Sequence, residues 1–241
     1  MIRGANTSAE GMLNQKAMHE VLADNLANAS TTGYKSYKTI HQLKAQENTE
    51  IPAGSEAVDS SFNFAQGALR RTDNTFDIAI SGDGFFGVMN AQGEIGYTRD
   101  GNFTVDEKGF LVTQFGDQVL DTSFAPIFVG IENTESFTVH VNGNIMVNND
   151  YITTLRTFKF DEDSGIIKKA NNKYVPAIEG ELLAVSEDTM LRQGFLEQSN
   201  VSSIKSSTAM IQIQRDFQSN EKALKVQMDT MDMLMRISDL Q

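Results

Sequence analysis

The sequence predicts an α+β fold in which the N- and C-terminal helices pair as a coiled-coil-like stem and flank a central all-β domain of hairpins. Three observations favour this fold class. Residues 195–241 contain neither glycine nor proline, so nothing there breaks a helix. Apolar residues recur at helical spacing near both ends of the chain. Between the ends, short apolar runs alternate with turn dipeptides such as Gln92-Gly93 and Asn142-Gly143, which is typical of hairpins.

The C-terminal helix is predicted from about Ser202 to Ile237. Its apolar stripe recurs at heptad-type spacing and comprises Met210, Ile213, Phe217, Leu224, Met231 and Leu234. At 1.5 Å per residue the helix is roughly 50 Å long, which exceeds the roughly 30 Å diameter of a small domain. Part of the stripe must therefore find partners outside its own globule.

The N-terminal segment supplies the nearest partner for this stripe. Its apolar residues also follow helical spacing, and they are Met12, Leu13, Met18, Val21, Leu22 and Leu26. Asn28 and Gly33 then provide the residues that end a helix and turn the chain. We predict an assembly interface made of Met18, Leu22 and Leu26 together with the six residues of the C-terminal stripe.

The middle of the chain is predicted to be β. The apolar runs are Phe76–Ile80, Phe85–Met89, Phe103–Val105, Phe110–Thr113, Ile127–Ile131, Phe137–Val141, Ile152–Phe160 and Lys173–Ala177. Residues 44–62 are polar and contain Pro52, which indicates a flexible connection. The predicted organisation has four parts: an N-terminal stem helix (1–33), an extended linker region (34–70), a central β domain (71–193) and a C-terminal stem helix (194–241).

Composition excludes several classes of function. The net charge is −12, and the sequence has no cluster of Lys and Arg, so nucleic-acid binding is not expected. The chain has no cysteine, which excludes disulfides and thiol catalysis. Charged residues, among them Glu10, Lys16 and Glu20, interrupt the N-terminal segment, so we expect no cleaved signal peptide. No apolar run reaches the length of a membrane span, and no membrane insertion is expected.

One motif suggests an enzyme. Gly82-Asp83-Gly84-Phe85-Phe86-Gly87 matches the dinucleotide pattern G-x-G-x-x-G, and a nucleotide-dependent enzyme is the hypothesis that it raises. The pattern requires a helix to begin within it, because the helix N-terminus faces the pyrophosphate. Here the sequence returns to a strand and a turn. We therefore favour a glycine-shaped β corner that turns Phe85 and Phe86 into the core.

Metal sites are not expected either. Residues 161–165 (Asp-Glu-Asp-Ser-Gly) suggest a calcium loop. However, that loop needs an acid or amide where Ser164 stands and a glutamate where Asn172 stands. A solvated hairpin tip is favoured. His19, His41 and His140 lack the spacing of metal ligands. The sequence thus predicts no catalytic, cofactor-binding or metal-binding residues.

Four stretches, taken in order, resemble the family of bacterial flagellar basal-body rod and hook proteins. They are residues 25–35 (NLANASTTGYK), residues 66–86 from Gln66-Gly67-Ala68-Leu69 to Phe86, residues 97–103 (YTRDGNF), and residues 194–217 with Gly194–Val201 and Gln214-Arg215-Asp216-Phe217. The residues taken as the family signature are Asn25, Leu26, Ala27, Asn28, Thr32, Gly33, Tyr34, Gly82, Gly84, Phe85, Phe86, Ser199, Asn200, Val201, Gln214 and Arg215. Asp24 departs from the asparagine that the family often has.

This resemblance implies a structural subunit of the flagellar rod and not an enzyme. Such a subunit would polymerise through its terminal helices into the helical axial tube that transmits torque from motor to hook. Its expected partners are copies of itself, other rod and hook subunits, the surrounding ring proteins, and the flagellar export apparatus during secretion without a cleaved signal peptide. The short link Lys38 to Phe62 favours a proximal over a distal rod position. A hook-type axial protein and a coiled-coil interaction module are the alternatives.

Overall fold

The computed structural model describes residues 2–43, 56–130, 136–160, 166–177, 184–186 and 189–238. The chain divides into two compact units. Unit 1 comprises residues 1–29, 36–63 and 201–241, and unit 2 comprises residues 30–35 and 64–200. Each unit is therefore built from segments that are distant in the sequence. The hairpin tip predicted at residues 161–165 lies outside the described residues.

Unit 1 contains two helices and a β-hairpin. The elements are α1 (Ile2–Ala27), β1 (Tyr37–Leu43), β2 (Glu56–Phe62) and α2 (Ser203–Ser238). The two strands pair antiparallel, from Tyr37 opposite Phe62 to Leu43 opposite Glu56. Helix α1 contacts α2 and both strands of the hairpin. Helix α2 runs unbroken for 36 residues, as expected from the absence of glycine and proline.

The predicted fold class is wrong in its account of the helices. Over the residues that it describes, the structure has two helices and a large central β-sheet domain, and it shows no stem of terminal helices paired as a coiled coil. Knobs-into-holes packing would bury the seam residues. Among the helix residues whose side chains are described, none of the apolar ones is buried, and only the polar Asn25 and Ser206 are. The β1–β2 hairpin also lies against α1, which a two-helix stem does not provide.

Unit 2 is built of short strands. Their bounds are β3 (Leu69–Arg71), β4 (Ile78–Ser81), β5 (Phe85–Met89), β6 (Ile95–Thr98), β7 (Phe103–Val105), β8 (Leu111–Thr113), β9 (Gln118–Val119), β10 (Phe137–Val139), β11 (Asn144–Val147), β12 (Asp150–Thr154), β13 (Thr157–Lys159), β14 (Ile166–Lys169), β15 (Lys173–Pro176), β16 (Ala184–Ser186), β17 (Met190–Gln193) and β18 (Phe195–Glu197). The largest sheet has the order β14-β15-β6-β5-β9-β8-β7, with β13 joining β5 to β16. A second sheet has the order β10-β11-β12, and β4 pairs with β17 and β3 with β18.

The core of unit 2 lies between these sheets. Its buried residues are Ile78, Ile80, Phe86, Val88, Phe103, Leu111, Val119, Ile127, Val129, Phe137, Val139, Ile145, Val147, Leu155 and Leu191. Most come from β4 and β5, from β7 to β11 and from β17, whereas Ile127, Val129 and Leu155 lie between strands. Hairpins distant in the sequence thus close over one apolar interior. Burial of this apolar surface is the main force that holds the unit together.

The strand predictions succeed in part. Strand β5 has the predicted bounds, and the chain returns from Gly82–Gly84 to a strand and not to a helix. Residues 127–130 form no strand, although Phe128 bridges to Phe110. The run 152–160 divides at the buried Leu155, whose amide donates to Gly143 O at 2.8 Å, so that β12 and β13 join different sheets. In the region predicted as a linker, residues 37–43 and 56–62 form the β1–β2 hairpin.

Candidate functional site: a buried ion-pair network and the helix surfaces

Three charged side chains from distant parts of the sequence meet inside unit 2. Lys35 Nζ lies 2.7 Å from Glu197 Oε1, and Arg99 Nε lies 2.6 Å from Glu197 Oε2. The side chains of Lys35 and Glu197 are each 1% exposed and that of Arg99 is 3% exposed. Each carboxylate oxygen thus pairs with its own cation. We call Lys35, Arg99 and Glu197 the buried ion-pair network.

Backbone groups complete the network. Lys35 Nζ also donates to the carbonyl oxygens of Phe64 at 3.3 Å and Ala65 at 3.0 Å. With Glu197, these give three acceptors for the three N–H groups of an ammonium. The Arg99 guanidinium donates to the carbonyls of Gly82 and Gly84.

Glu197 Oε1 accepts a further bond from Gly67 N at 2.8 Å. The charges are therefore saturated by the protein itself. This arrangement suits the fixing of chain segments, because buried charges are tolerated only when they are paired and hydrogen-bonded.

The backbone brings the charged residues together. Glu197 ends β18, which pairs with β3, and Arg99 follows β6 directly. Gly33 N donates to Glu197 O at 2.8 Å, which brings the Lys35 segment to β18. Gly33 has φ +65°, and a Cβ there would lie 2.4 Å from the Arg99 carbonyl carbon. Only glycine fits this crossing without strain.

Two titratable groups in this region have shifted pKa values. Burial lowers the pKa of Lys35, and the nearby Arg99 charge lowers it further, whereas Glu197 acts in the opposite direction. Burial, with a smaller contribution from the Asp77 charge, raises the pKa of Asp100 from 3.8 to about 6, although a hydrogen bond from the Asn102 backbone opposes the shift. Asp100 thus carries a cost of ionisation at neutral pH.

Further contacts surround the segment that carries Lys35. Tyr34 is 1% exposed, and Lys168 Nζ lies 4.1 Å from the centre of its ring. Asn172 Nδ2 donates to Thr32 O at 3.0 Å. Asn200 N donates to Tyr34 O at 3.3 Å, and Asn200 Nδ2 donates to Ala65 O at 2.9 Å. Residues 32–35 and Asn200, at the two ends of unit 2 in the sequence, are therefore bound to each other and to the rest of that unit.

The structure gathers one part of the predicted signature around this network. The signature residues that contribute contacts there are Thr32, Gly33, Tyr34, Gly82, Gly84 and Asn200. Phe85 and Phe86 are 5% and 0% exposed, so both turn into the interior as predicted. Ser199 and Val201 flank Asn200 on the segment that leads to α2.

The other signature residues lie in unit 1. Asn25 is 4% exposed. Its side chain donates to Tyr37 O and accepts from Tyr37 N, both at 2.9 Å, so it joins α1 to β1. Asn28 Nδ2 donates to Asp24 O at 2.8 Å and so caps the helix end. Four signature residues lie on the helices and form no side-chain hydrogen bond among those described. They are the half-buried Leu26 and the exposed Ala27, Gln214 and Arg215.

The predicted assembly residues lie on α1 and α2. Those with described side chains are all half-buried, namely Met18, Leu22, Leu26, Met210, Ile213, Phe217 and Leu224. Ile213 and Phe217 line a groove of about 490 Å³ together with Gln15, Lys16 and His19. The side chains of Met231 and Leu234 are not among those that the structure describes. Two residues of the predicted α2 set therefore lie beside α1, and all seven side chains remain partly exposed.

Lys35, Arg99 and Glu197 lie within the stretches that resemble the family, but the sequence predicted no role for them. The sequence pattern that could have identified them is weak. Glu197 follows the apolar pair Phe195-Leu196, and Arg99 follows Tyr97-Thr98, so each charge sits at the end of a buried strand. A charged residue in such a position can also point to solvent, and only the fold shows that these three converge.

Neither a metal site nor a membrane span is found in the part of the chain that the structure describes. No three residues among His, Cys, Asp and Glu group there in a way that could hold a metal ion. The described helices are also too polar or too short in their apolar runs to cross a bilayer.

Models of known protein families match both ends and the middle of the chain. The family model "Flagella basal body rod protein" matches residues 6–35. "Flagellar hook protein FlgE/F/G D1 domain" matches residues 79–147. "Flagellar basal body rod FlgEFG protein C-terminal" matches residues 192–237. The first and third matches contain Lys35 and Glu197, and the second contains Arg99, so the network joins all three matched regions.

Curated relatives extend this similarity over most of the chain. The flagellar basal-body rod protein FlgF of Rhizobium meliloti is 35% identical over 81% of this chain and 81% of its own length. FlgG of Borreliella burgdorferi is 31% identical over 93% of this chain and 94% of its length. FlgG of Buchnera aphidicola subsp. Schizaphis graminum is 30% identical over the whole of both. The chain therefore belongs to the flagellar basal-body rod protein family.

Proposed function

We propose that this chain is a non-catalytic structural subunit of the flagellar basal-body rod, the part of the axial structure that carries torque from motor to hook. The observation that carries the proposal is the 31% identity to a basal-body rod protein over 93% of this chain and 94% of that relative. The charges of the buried ion-pair network are all paired within the protein, which also supports a structural role.

Polymerisation uses the surfaces of α1 and α2. Their apolar residues are half-buried in the single chain, so contact with neighbouring subunits would remove more apolar area from water. Each Å² removed contributes about 25 cal/mol. The assembly residues are Met18, Leu22 and Leu26 on α1, with Met210, Ile213, Phe217, Leu224, Met231 and Leu234 on α2.

The buried ion-pair network gives the subunit its resistance to load. Together with the neighbouring hydrogen bonds, it holds residues 32–35 and residues 197–200 against the rest of unit 2. A force that reaches either segment is therefore borne inside unit 2 by hydrogen-bonded charges. Firmly held segments of this kind suit a subunit of a shaft that transmits torque.

The partners of the subunit are other rod and hook proteins, with the surrounding basal-body ring proteins as possible neighbours. Delivery to the rod uses the flagellar export apparatus. The proteins named FlgF and FlgG among the relatives support a rod position. The short sequence between Lys38 and Phe62 supports a proximal rather than a distal one.

Incorporation into basal bodies tests the role of the helices. A strain that lacks the gene is complemented with the original chain, with Leu224→Asp or with Val226→Asp. Leu224 is half-buried and Val226 is 63% exposed on the same helix. We expect Leu224→Asp to prevent incorporation, because it places a charge in an apolar contact, and Val226→Asp to be incorporated. Normal incorporation of Leu224→Asp would contradict the proposed interface.

A further inference from the structure

Unit 2 has an acidic, partly apolar groove beside one sheet edge. Strand β12 ends the order β10-β11-β12, and in the described part of the chain it pairs with β11 only. Beside it lies a groove of about 480 Å³ that is lined by Asp150, Ile152, Phe128, Asp121 and Pro126 among others. Phe128 is 54% exposed and Ile152 is 42% exposed. Exposed apolar groups around an open edge are a common site of strand addition.

A second sheet edge in unit 2 has the opposite charge. Strand β14 ends the largest sheet, and its described pairing is to β15 alone. Its side chains alternate between half-buried and exposed. Ile167 is 51% exposed, and Lys169 is exposed on the same face of the strand. Among the described residues neither Lys169 nor Asp150 forms a salt bridge.

We propose that these two edges bind each other between copies of this chain, with β14 of one copy lying along the β12 groove of the next. This contact rests on the proposed rod function and adds an interface to that of the helices. Ile167 packs against Ile152 and Phe128, while Lys169 faces Asp150. The apolar pairs provide affinity, and the opposite charges set the direction and register.

Charge decides between this contact and its symmetric alternatives. A β12-to-β12 contact would bring two Asp150 carboxylates into the same interface, and a β14-to-β14 contact would do the same for two Lys169 ammonium groups. The repulsion between like charges disfavours both symmetric contacts. The favoured pairing therefore uses two different surfaces of the same chain. Head-to-tail contacts of that kind repeat from copy to copy and generate rings or open helical filaments, as a tubular assembly requires.

Cysteine pairs test the contact directly, because the chain has no cysteine of its own. Full-length Ile152→Cys and Ile167→Cys chains are mixed, and Ile167→Cys is mixed with Met190→Cys as the control. Met190 is 59% exposed on β17, so its accessibility is comparable. After mild oxidation we expect a disulfide-linked dimer from the first mixture only. Equal linkage in both mixtures, or none in the first, would overturn the proposal.

A charge exchange provides the second test. Asp150→Lys and Lys169→Glu should each lower the yield of linked dimer at least about tenfold, and the chain with both substitutions should regain it. Failure of the double variant to recover would exclude the charge pair.

The same cysteine pair is then placed in one chain and expressed in flagellated cells. If purified basal bodies contain this chain but show no link from 152 to 167, or link position 152 to a different protein, the contact is refuted while the rod function stands. If the chain is absent from basal bodies, the rod function itself fails.

Discussion

Replacing Glu197 with glutamine should strongly destabilise unit 2. The change keeps the shape of the side chain but removes the negative charge that faces Lys35 at 2.7 Å and Arg99 at 2.6 Å. Two cations with side-chain exposures of 1% and 3% then lose their counterion. Breaking a buried ion pair by removing one partner costs about 3 to 5 kcal/mol. That is a large share of the roughly 5 to 15 kcal/mol that stabilises a typical domain.

Urea denaturation of the full chain measures this loss. The chain has no tryptophan, but Tyr34, Tyr97 and Tyr174 are buried in unit 2. Near-ultraviolet circular dichroism of tyrosine therefore reports on the packing of that unit. The matched control is Asp73→Asn, which removes the Arg71–Asp73 pair at 2.5 Å, where both side chains are about 70% exposed (72% and 69%). Exposed pairs contribute about 0 to 1 kcal/mol. A loss below about 1 kcal/mol for Glu197→Gln would refute the reasoning.

Two further substitutions test the same region. Gly33→Ala should cost at least about 2 kcal/mol more than Gly93→Ala, because both glycines have positive φ but only the Cβ at 33 meets backbone, 2.4 Å away, whereas the Cβ at 93 meets nothing within 4 Å; equal losses in thermal or urea unfolding would contradict this. Asp100→Asn should stabilise the fold by up to about 3 kcal/mol at pH 7 and by little at pH 4. The pKa of Asp100 is raised from 3.8 to about 6, so the folded state binds a proton that the unfolded state has lost, and stability falls as the pH rises through that window. Urea titrations at both pH values measure the difference, and equal gains at pH 4 and pH 7 would exclude this origin.

Some elements could be predicted from local sequence because local chemistry determines them. Strand β5 is an apolar run between turn residues, and α2 is a long segment without helix breakers. The hairpin of β1 and β2 escaped prediction, since a run such as Tyr37–Leu43 mixes Lys, Thr, His and Gln and shows no clear alternation. Its strands pair residues that lie from 13 (Leu43 and Glu56) to 25 (Tyr37 and Phe62) positions apart in the sequence, and local patterns do not show such a partner.

The coiled-coil stem shows a different limit of prediction from sequence. A heptad stripe identifies which face of a helix is apolar, but it does not say what covers that face. In the structure the side chains of Phe217 and Leu224 are only half-buried, and the helix α1 also contacts a hairpin. The sequence therefore shows which face of the helix is apolar, whereas the coiled-coil packing inferred from that face was wrong.

The buried ion-pair network was the least predictable feature. In the sequence Lys35 and Glu197 are separated by 162 positions, and a charged residue by itself is usually at the surface. Their convergence arises from the way β18 pairs with β3 and from the close approach at Gly33. Such a site depends on the whole topology of unit 2, so it becomes visible only once the fold is known.

Mass spectrometry of purified basal bodies from the source cell tests the central claim most directly. Basal bodies are isolated in detergent, and the amount of this chain is compared with that of the other rod proteins in the same preparation. The rod assignment predicts that the chain is present in stoichiometric amount. Its absence from basal bodies in which the other rod proteins are detected would contradict the assignment.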